Sequence, residues 1–198
     1  MAEQKDIKDI SEELRGFWST PFYINGVGEI EYKLPENLVD TNTNLKMDIK
    51  DNPKLKEVIF ESVSRILNAL GFVDDQELVL NDLWYNKYDE SRPELSFHYH
   101  QNCAWTGTYY PHETNHVTSF FNPNAGLVVQ HFPKQQEDSE YASQTFHLEP
   151  AQGSIVIHPA YIPHTVRWLG GNTSNSISFD VSYKAPVGCK DFGSYKPE

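Results

Sequence analysis

The spacing of hydrophobic residues changes once along the chain, near Gly71. Before that point, residues 53–70 carry apolar side chains at intervals of three and four, which predicts one amphipathic helix. Asn52 is a candidate N-cap, Pro53 suits the first helical position, and Gly71 suits the position after the helix end. The apolar stripe consists of Leu55, Val58, Ile59, Val63, Ile66, Leu67 and Leu70. We expect this helix to cover one face of a sheet, and we assign it no chemistry.

After Gly71 the chain breaks into short, alternating or apolar segments that are separated by proline, glycine and asparagine, as is typical of strands and turns. The predicted strands are Leu78–Tyr88, Leu95–His100, Trp105–Tyr110, His116–Phe121, Leu127–Phe132, Gln144–Leu148, Ser154–His158, His164–Trp168 and Ser174–Tyr183. Many short strands with regular turns indicate a sandwich, a jelly roll or a barrel. The pattern therefore predicts a mainly β protein with flanking α-helices.

The start of the chain is less regular. Residues 1–16 are charged and lack a firm pattern, so we expect an N-terminal tail or a frayed helix there. The aromatic cluster at 17–23, interrupted by Pro21, predicts a short strand that packs on the core. We therefore divide the chain into this tail and a single domain at 17–198.

Composition limits the classes of function. The 198 residues, 38% hydrophobic and 22% charged, suit one soluble globular domain. A net charge of −12 argues against binding to nucleic acid or to an anionic membrane surface. Cys103 and Cys189 form no disulfide framework, and we find neither a signal peptide nor an apolar run of roughly 20 residues. We expect a cytoplasmic protein that uses neither nucleic acid nor membrane as a partner.

The candidate chemistry is a set of three histidines. His98 and His100 stand two residues apart, so on a strand their side chains point to the same face. His164, at the start of a later strand, can close a three-sided site in a jelly roll. Imidazole nitrogens suit iron, zinc, copper or nickel, and a site that holds one side of the ion leaves the other side open. The pattern favours metal-dependent redox chemistry.

Several motifs, taken in order, resemble a 2-oxoglutarate/Fe(II)-dependent oxygenase family that is common in bacteria and in phages of marine bacteria. The resemblance covers about residues 17–183 and depends on the order and spacing of the motifs. The matching segments are Phe17–Phe22, Leu83–Asn86, His98-Tyr99-His100, Thr106-Gly107-Thr108-Tyr109-Tyr110, Gly153–Pro159, His164-Thr165-Val166 and Ser176-Ile177-Ser178-Phe179.

The resemblance implies a double-stranded β-helix (a cupin-like jelly roll) that carries Fe(II) and uses 2-oxoglutarate to hydroxylate a small molecule or a protein side chain. His98, His100 and His164 would be the metal ligands. Most such oxygenases have Asp or Glu as the middle ligand, where this chain has His100. Whether an acidic residue such as Glu113 completes the site stays open. His158 is expected to be structural, with the orienting of a ligand as the other interpretation.

A second departure concerns 2-oxoglutarate. The wider superfamily usually has Arg or Lys about ten residues after the last histidine, to pair with the distal carboxylate of this cosubstrate. Position 174 is serine here, and Ser176 occupies the place of a companion serine. Arg167 is expected on the opposite strand face from His164. The candidate cosubstrate-binding residues are Asn86, Tyr88, Tyr109, Ser174 and Ser176.

Two alternatives remain at this point. A cupin-like dioxygenase with three histidine ligands would not need 2-oxoglutarate, and the absent arginine favours it. A binding protein could also retain the jelly roll without catalysis, since fold does not determine function. The expected substrate is a small molecule or a peptide, and the sequence does not identify which one. It also does not identify the oligomeric state.

Overall fold

The fold is given by a computed structural model that describes residues 12–17, 20–35, 44–72, 77–124 and 144–184, with side chains from Thr20 onward. Within these residues there are eleven strands and one helix. The elements are β1 (Glu12–Phe17), β2 (Thr20–Gly26), β3 (Asn44–Lys46), α1 (Pro53–Ala69), β4 (Leu78–Tyr88), β5 (Glu94–His98), β6 (Trp105–Tyr110), β7 (His116–Phe121), β8 (Thr145–Leu148), β9 (Ser154–Pro159), β10 (His164–Trp168) and β11 (Ser174–Tyr183).

The strands form two antiparallel sheets. The larger has the order β1-β2-β9-β6-β11-β4-β3, and the smaller has the order β5-β10-β7-β8. The chain alternates between the two sheets from β4 to β7 and again from β8 to β11, as in a double-stranded β-helix. The predicted jelly roll is confirmed. No helix in the described part of the chain has the length and apolar character needed to cross a membrane.

The predicted strand positions agree closely with the structure. β4, β6, β7, β10 and β11 have the predicted bounds, β8 and β9 differ by one residue at one end, and β5 begins one residue and ends two residues before its predicted bounds. The predicted strand Leu127–Phe132 lies outside the described residues. The expectation of a tail or a frayed helix over residues 1–16 is wrong for its last residues. Glu12–Phe17 pairs with β2 as an edge strand. A charged edge strand is hard to recognise in a sequence, because it is paired along one side only and tolerates charged side chains.

The helix α1 begins and ends almost where predicted, but its N-terminus is not capped as expected. The Asn52 side chain makes no capping bond to the helix. Its Oδ1 accepts from the Lys33 N–H at 2.7 Å, and its amide donates to the Asp48 carbonyl at 2.8 Å. At the other end Gly71 has φ +79, and the N–H groups of Gly71 and Phe72 donate to Asn68 and Leu67. These paired bonds are a Schellman motif, as the glycine predicts.

The larger sheet has two different faces. On one, α1 packs through Leu55, Ile59, Val63, Ile66 and Leu67 onto apolar residues of the strands, which include Leu83, Tyr109, Ile155, Ile157, Ile177 and Phe179. On the other, a smaller cluster that includes Phe22, Tyr110, Phe120 and Val156 fills part of the space between the sheets. Successive residues of a strand point to opposite faces, so Ile155 and Ile157 face the helix while Val156 and His158 face the second sheet.

Gly107 of β6 permits the close packing on the helix side. A Cβ atom at this position would lie 2.5 Å from the Phe179 ring and would also collide with the Val156 carbonyl oxygen. A side chain here would therefore push β6, β9 and β11 apart. The glycine of the Thr-Gly-Thr-Tyr-Tyr motif thus has a packing role.

Candidate metal centre

Three histidines converge at one end of the space between the sheets. His98 ends β5, His164 begins β10, and the two residues are register partners in neighbouring strands. His100 follows β5 outside the strand, where its N–H donates to the Ala160 carbonyl at 3.0 Å. Candidate ligand atoms of the three residues all lie within 4.8 Å of one another. The structure therefore brings together the three predicted ligands, which lie on two elements and one loop.

Backbone carbonyls fix the orientation of two of these rings. The Nδ1 atom of His98 lies 2.7 Å from the Ser96 carbonyl oxygen, and that of His164 lies 3.1 Å from the Ile162 carbonyl oxygen. A carbonyl oxygen can only accept, so each Nδ1 carries the ring proton. Each Nε2 then keeps its lone pair, which is the arrangement that a ligating histidine needs.

Asp180 orients the third ring, and the sequence reasoning missed this residue. Its Oδ1 lies 2.7 Å from Nδ1 of His100, an ion-pair distance, although the approach is not a well-directed hydrogen bond. The Thr106 hydroxyl donates to the Phe179 carbonyl at 3.1 Å, so its oxygen can only accept from Nδ1 of His100, at 3.3 Å. The Thr106 acceptor and the adjacent negative charge of Asp180 therefore favour the proton on Nδ1 and leave Nε2 of His100 for a metal.

The carboxylate of Asp180 thus lies behind a candidate ligand and not among the ligands. Asp180 is 6% exposed and lies on β11, where Ser174, Ser176 and Ser178 precede it on the same strand face. That alternation was the signal that could have revealed it. Glu113, the acidic residue left open by the sequence, is exposed and does not line the site.

Burial keeps two of the histidines, His98 and His164, neutral. Burial lowers the pKa of His164 well below its usual value, and the neighbouring His158 and His98 lower it further. Burial also lowers the pKa of His98, against a smaller opposing effect of its bond to Ser96. Neutral imidazole is the form that binds a metal, so these rings can act as ligands at neutral pH.

A cavity of about 510 Å³ extends from the three histidines between the two sheets. Within the described part of the chain its lining contains no lysine or arginine, and Asp82 and Asp180 are its acidic members. The lining residues are Asn44, Asp82, Trp84, Asn86, Tyr88, Leu95, His98, Tyr99, His100, Gln101, Thr106, Thr108, Tyr110, His116, Thr118, Phe120, Val156, His158, His164, Val166, Ser176, Ser178 and Asp180. A dianionic cosubstrate would therefore meet neutral donors and histidines in place of a permanent cation.

The predicted cosubstrate-binding residues separate into two groups. Asn86, Tyr88 and Ser176 line the cavity. Tyr109 does not, because its hydroxyl donates to the Gly28 carbonyl at 3.0 Å on the helix side of the sheet. Ser174 is fully buried behind the cavity wall. The neighbouring Tyr110 takes the cavity position that was assigned to Tyr109, as the alternation of β6 requires.

His158 and Arg167 lie where the strand pattern suggests. His158 lines the cavity, and its Nδ1–H donates to the Pro159 carbonyl at 3.0 Å. Its ring lies edge-on to His164 with centroids 5.1 Å apart, and burial lowers its pKa to about 3. It therefore packs a neutral ring against a candidate ligand. Arg167 is exposed, on the opposite face from the buried Val166.

Comparisons with known proteins agree with this geometry. The family described as "Putative 2OG-Fe(II) oxygenase" matches residues 82–180, half of the chain and all three histidines. No curated protein matches the sequence.

Solved structures with a similar fold are distant in sequence. A 2OG-Fe(II) oxygenase family oxidoreductase from Burkholderia pseudomallei is 12% identical, with a TM-score of 0.47 over 88% of this chain and 74% of that one. A Pseudomonas putida prolyl-4-hydroxylase is 12% identical, with a TM-score of 0.45 over 87% and 79%. The epimerase SnoN from nogalamycin biosynthesis, in complex with Fe³⁺, α-ketoglutarate and nogalamycin RO, is 11% identical, with a TM-score of 0.49 over 92% and 73%.

Proposed function

This chain belongs to the 2OG-Fe(II) oxygenase family, and we propose that within it the protein is a hydroxylase of a small molecule or a protein side chain. Fe(II) and 2-oxoglutarate are the cofactors of this family. The observation that carries the proposal is the set of three histidines, each with its Nδ1 proton directed at an acceptor, whose ligand atoms lie within 4.8 Å of one another.

His98, His100 and His164 would hold Fe(II) from one side. All three are neutral donors, so the ion would keep its full charge, which suits a dianionic cosubstrate. Imidazole nitrogen is a suitable ligand for iron, and the residues present therefore fit the metal. When bound, Fe(II) and 2-oxoglutarate supply the oxidative decarboxylation with O₂ that yields succinate and CO₂ and places one oxygen atom on a substrate C–H bond.

The remaining side chains would position the ligands and exclude water. Asp180 places a negative charge behind His100, which would raise the basicity of that ring toward the metal. Phe120, Val156 and Val166 give the cavity an apolar wall beside the histidines. A dry wall at this place would protect a reactive centre from side reactions with solvent.

Two features support a neutral or cationic substrate. As far as the structure describes the chain, the cavity lining carries Asp82 and Asp180 but no lysine or arginine. The whole chain has a net charge of −12, which disfavours an acidic partner.

Trp84, Tyr99 and Gln101 also line the cavity, and Tyr99 is 52% exposed. These side chains suit contact with an amphipathic small molecule or a peptide side chain.

Succinate formation tests the proposal. Purified protein with Fe(II), 2-oxoglutarate and O₂ should form succinate, and a true substrate should gain the mass of one oxygen atom. The His98→Ala variant should lose this turnover, whereas His147→Ala should retain it, because His147 is exposed on β8 and bonds Ser119 away from the cavity. Iron-dependent O₂ consumption that is equal with and without 2-oxoglutarate would contradict the proposal and favour a cupin-like dioxygenase.

A further inference from the structure

The cavity has a second polar end that the three histidines do not occupy. His116 begins β7, two same-face positions along the strand from Phe120, whose ring lies 5.7 Å from that of His164. The His116 ring is 2% exposed and lies between two tyrosine rings, 5.0 Å from Tyr88 and 5.7 Å from Tyr110. His116, Tyr88, Tyr110, Thr118 and Ser176 all line this end of the cavity. A buried histidine thus faces a set of hydroxyl groups.

The hydrogen bonds of His116 leave one of its ring nitrogens available. Nδ1 lies 2.7 Å from the Ser174 hydroxyl oxygen, which also accepts from the Asn115 N–H at 2.9 Å. The serine hydrogen can therefore be donated to Nδ1, which places the ring proton on Nε2. Within the described part of the chain, Nε2 of His116 makes no hydrogen bond. The ring is therefore held from behind and can donate from Nε2 to a ligand.

This arrangement matches the need of a dicarboxylate. When one end of 2-oxoglutarate chelates the metal, its distal carboxylate must lie elsewhere in the cavity, and a buried carboxylate without a partner is strongly unfavourable. Among the residues that the structure describes, no lysine or arginine lines the cavity, and position 174, where an arginine was expected, is a serine that holds His116 instead. We propose that His116 receives the distal carboxylate of 2-oxoglutarate and takes up a proton from solvent as the carboxylate binds. This inference rests on the proposed function.

The groups around His116 do not supply a competing charge. On β4 and β6, burial raises the pKa of Tyr88 and Tyr110, so both remain neutral donors. On β10 the register partner of His116 is Trp168, and on β11 the contact is Ser174. Arg92 influences Tyr88 electrostatically but does not line the cavity. Burial lowers the pKa of His116 to about 4, so the free ring is neutral and the second proton arrives with the anion. That proton would sit on Nδ1, with the Ser174 oxygen as its acceptor.

Calorimetric titration of 2-oxoglutarate into anaerobic, Mn(II)-loaded protein tests this inference without turnover. His116→Ala should weaken binding by roughly tenfold or more, because it removes a charge-assisted hydrogen bond. Mn(II) affinity should not change, which also confirms that the variant is folded. The surface variant His147→Ala should bind 2-oxoglutarate like the unmodified protein.

Proton uptake gives a second, independent measurement. Titrations in two buffers of different ionisation enthalpy should show close to one proton taken up per 2-oxoglutarate bound by the unmodified protein. A His116→Ala, Ser174→Arg double variant should recover affinity but show no such uptake, because an arginine is already charged. If the His116 variants fail to fold, the uptake measured on the unmodified protein still decides.

Three results would overturn the inference. They are unchanged affinity in His116→Ala, no proton uptake by the unmodified protein, or a loss of affinity that follows Arg92→Gln and not His116→Ala. These results leave the proposed function intact as long as the unmodified protein binds 2-oxoglutarate. Complete absence of 2-oxoglutarate binding by Mn(II)-loaded protein would overturn both.

Discussion

The two faces of the larger sheet are made by the same strands, yet they differ in chemistry. On the helix side, β6, β9 and β11 present residues such as Tyr109, Ile157 and Phe179 to the apolar stripe of α1. On the cavity side, the alternate positions of these strands are Thr106, His158 and Asp180. Alternation therefore assigns stability to one face and ligand chemistry to the other. Substitutions on the two faces should affect different measurements.

Removal of a candidate ligand should have the largest effect. His164→Ala should reduce succinate formation by at least about 100-fold, since even residues that only support a metal ligand change activity by 10- to 100-fold. The free energy of unfolding of the metal-free protein should change far less, because His164 is a buried polar ring in a polar cavity. Coupled succinate assays and chemical denaturation measure the two effects. If His164→Ala lowered the free energy of unfolding as severely as it lowers succinate formation, the separate roles of the two faces would be contradicted.

Truncation on the helix side should show the reverse. Phe179→Ala removes a fully buried ring that packs over Gly107, and should lower the free energy of unfolding by about 3–5 kcal/mol. The Mn(II) affinity of the molecules that remain folded should stay within about threefold, because the ring points away from the metal. Chemical denaturation and Mn(II) titration at low temperature provide the values. A large loss of Mn(II) affinity would show that the faces are coupled.

Asp180 sharpens the comparison on the cavity side. Asp180→Asn keeps the shape of the side chain but removes the charge behind His100, so metal affinity should fall by about 10- to 100-fold. Asp82→Asn is the matched control, because Asp82 is the register partner of Asp180 on β4 and pairs with Lys46 at the surface. The control should change metal affinity little, since exposed ion pairs contribute about 0–1 kcal/mol. Equal effects of the two substitutions would contradict the role given to Asp180.

The pH dependence of stability should also come from the cavity side. Burial lowers the pKa of His116 to about 4 and that of His158 to about 3. Both rings bind protons more readily in the unfolded chain, so stability is full above pH 6.5 and is lost as the pH falls toward 4 and 3. Each ring should contribute a slope of up to about 1.4 kcal/mol per pH unit in that window. Chemical denaturation of the metal-free protein between pH 6.5 and pH 3 measures this slope. A free energy of unfolding that does not change with pH would contradict the claim that both rings are buried and neutral.

The sequence predicted the fold well because alternation and turn residues are local signals. Leu78–Tyr88 and Ser174–Tyr183 have the predicted bounds, and α1 ends at a glycine that forms the expected motif. Glu12–Phe17 was missed because an edge strand pairs on one side and tolerates charge. Such a strand resembles a tail in sequence.

The site was only partly predictable. Spacing identified His98, His100 and His164, but it could not show what lies behind each ring. Asp180 and His116 act through contacts across 80 and 58 positions of sequence with His100 and Ser174, and no local pattern marks such pairs. Tyr110, and not the predicted Tyr109, lines the cavity, and the alternation of β6 distinguishes the two residues. Sequence reasoning therefore lacked two kinds of information: the sheet face that a residue occupies, and the side-chain contacts between residues of different strands.

The identity of the metal ligands is the central claim, and X-ray absorption spectroscopy of Fe(II)-loaded protein tests it most directly. The structure predicts three imidazole ligands in the unmodified protein and two in His100→Ala, with the rest of the shell filled by oxygen. A spectrum with two imidazoles in the unmodified protein, unchanged by His100→Ala, would contradict the three-histidine centre.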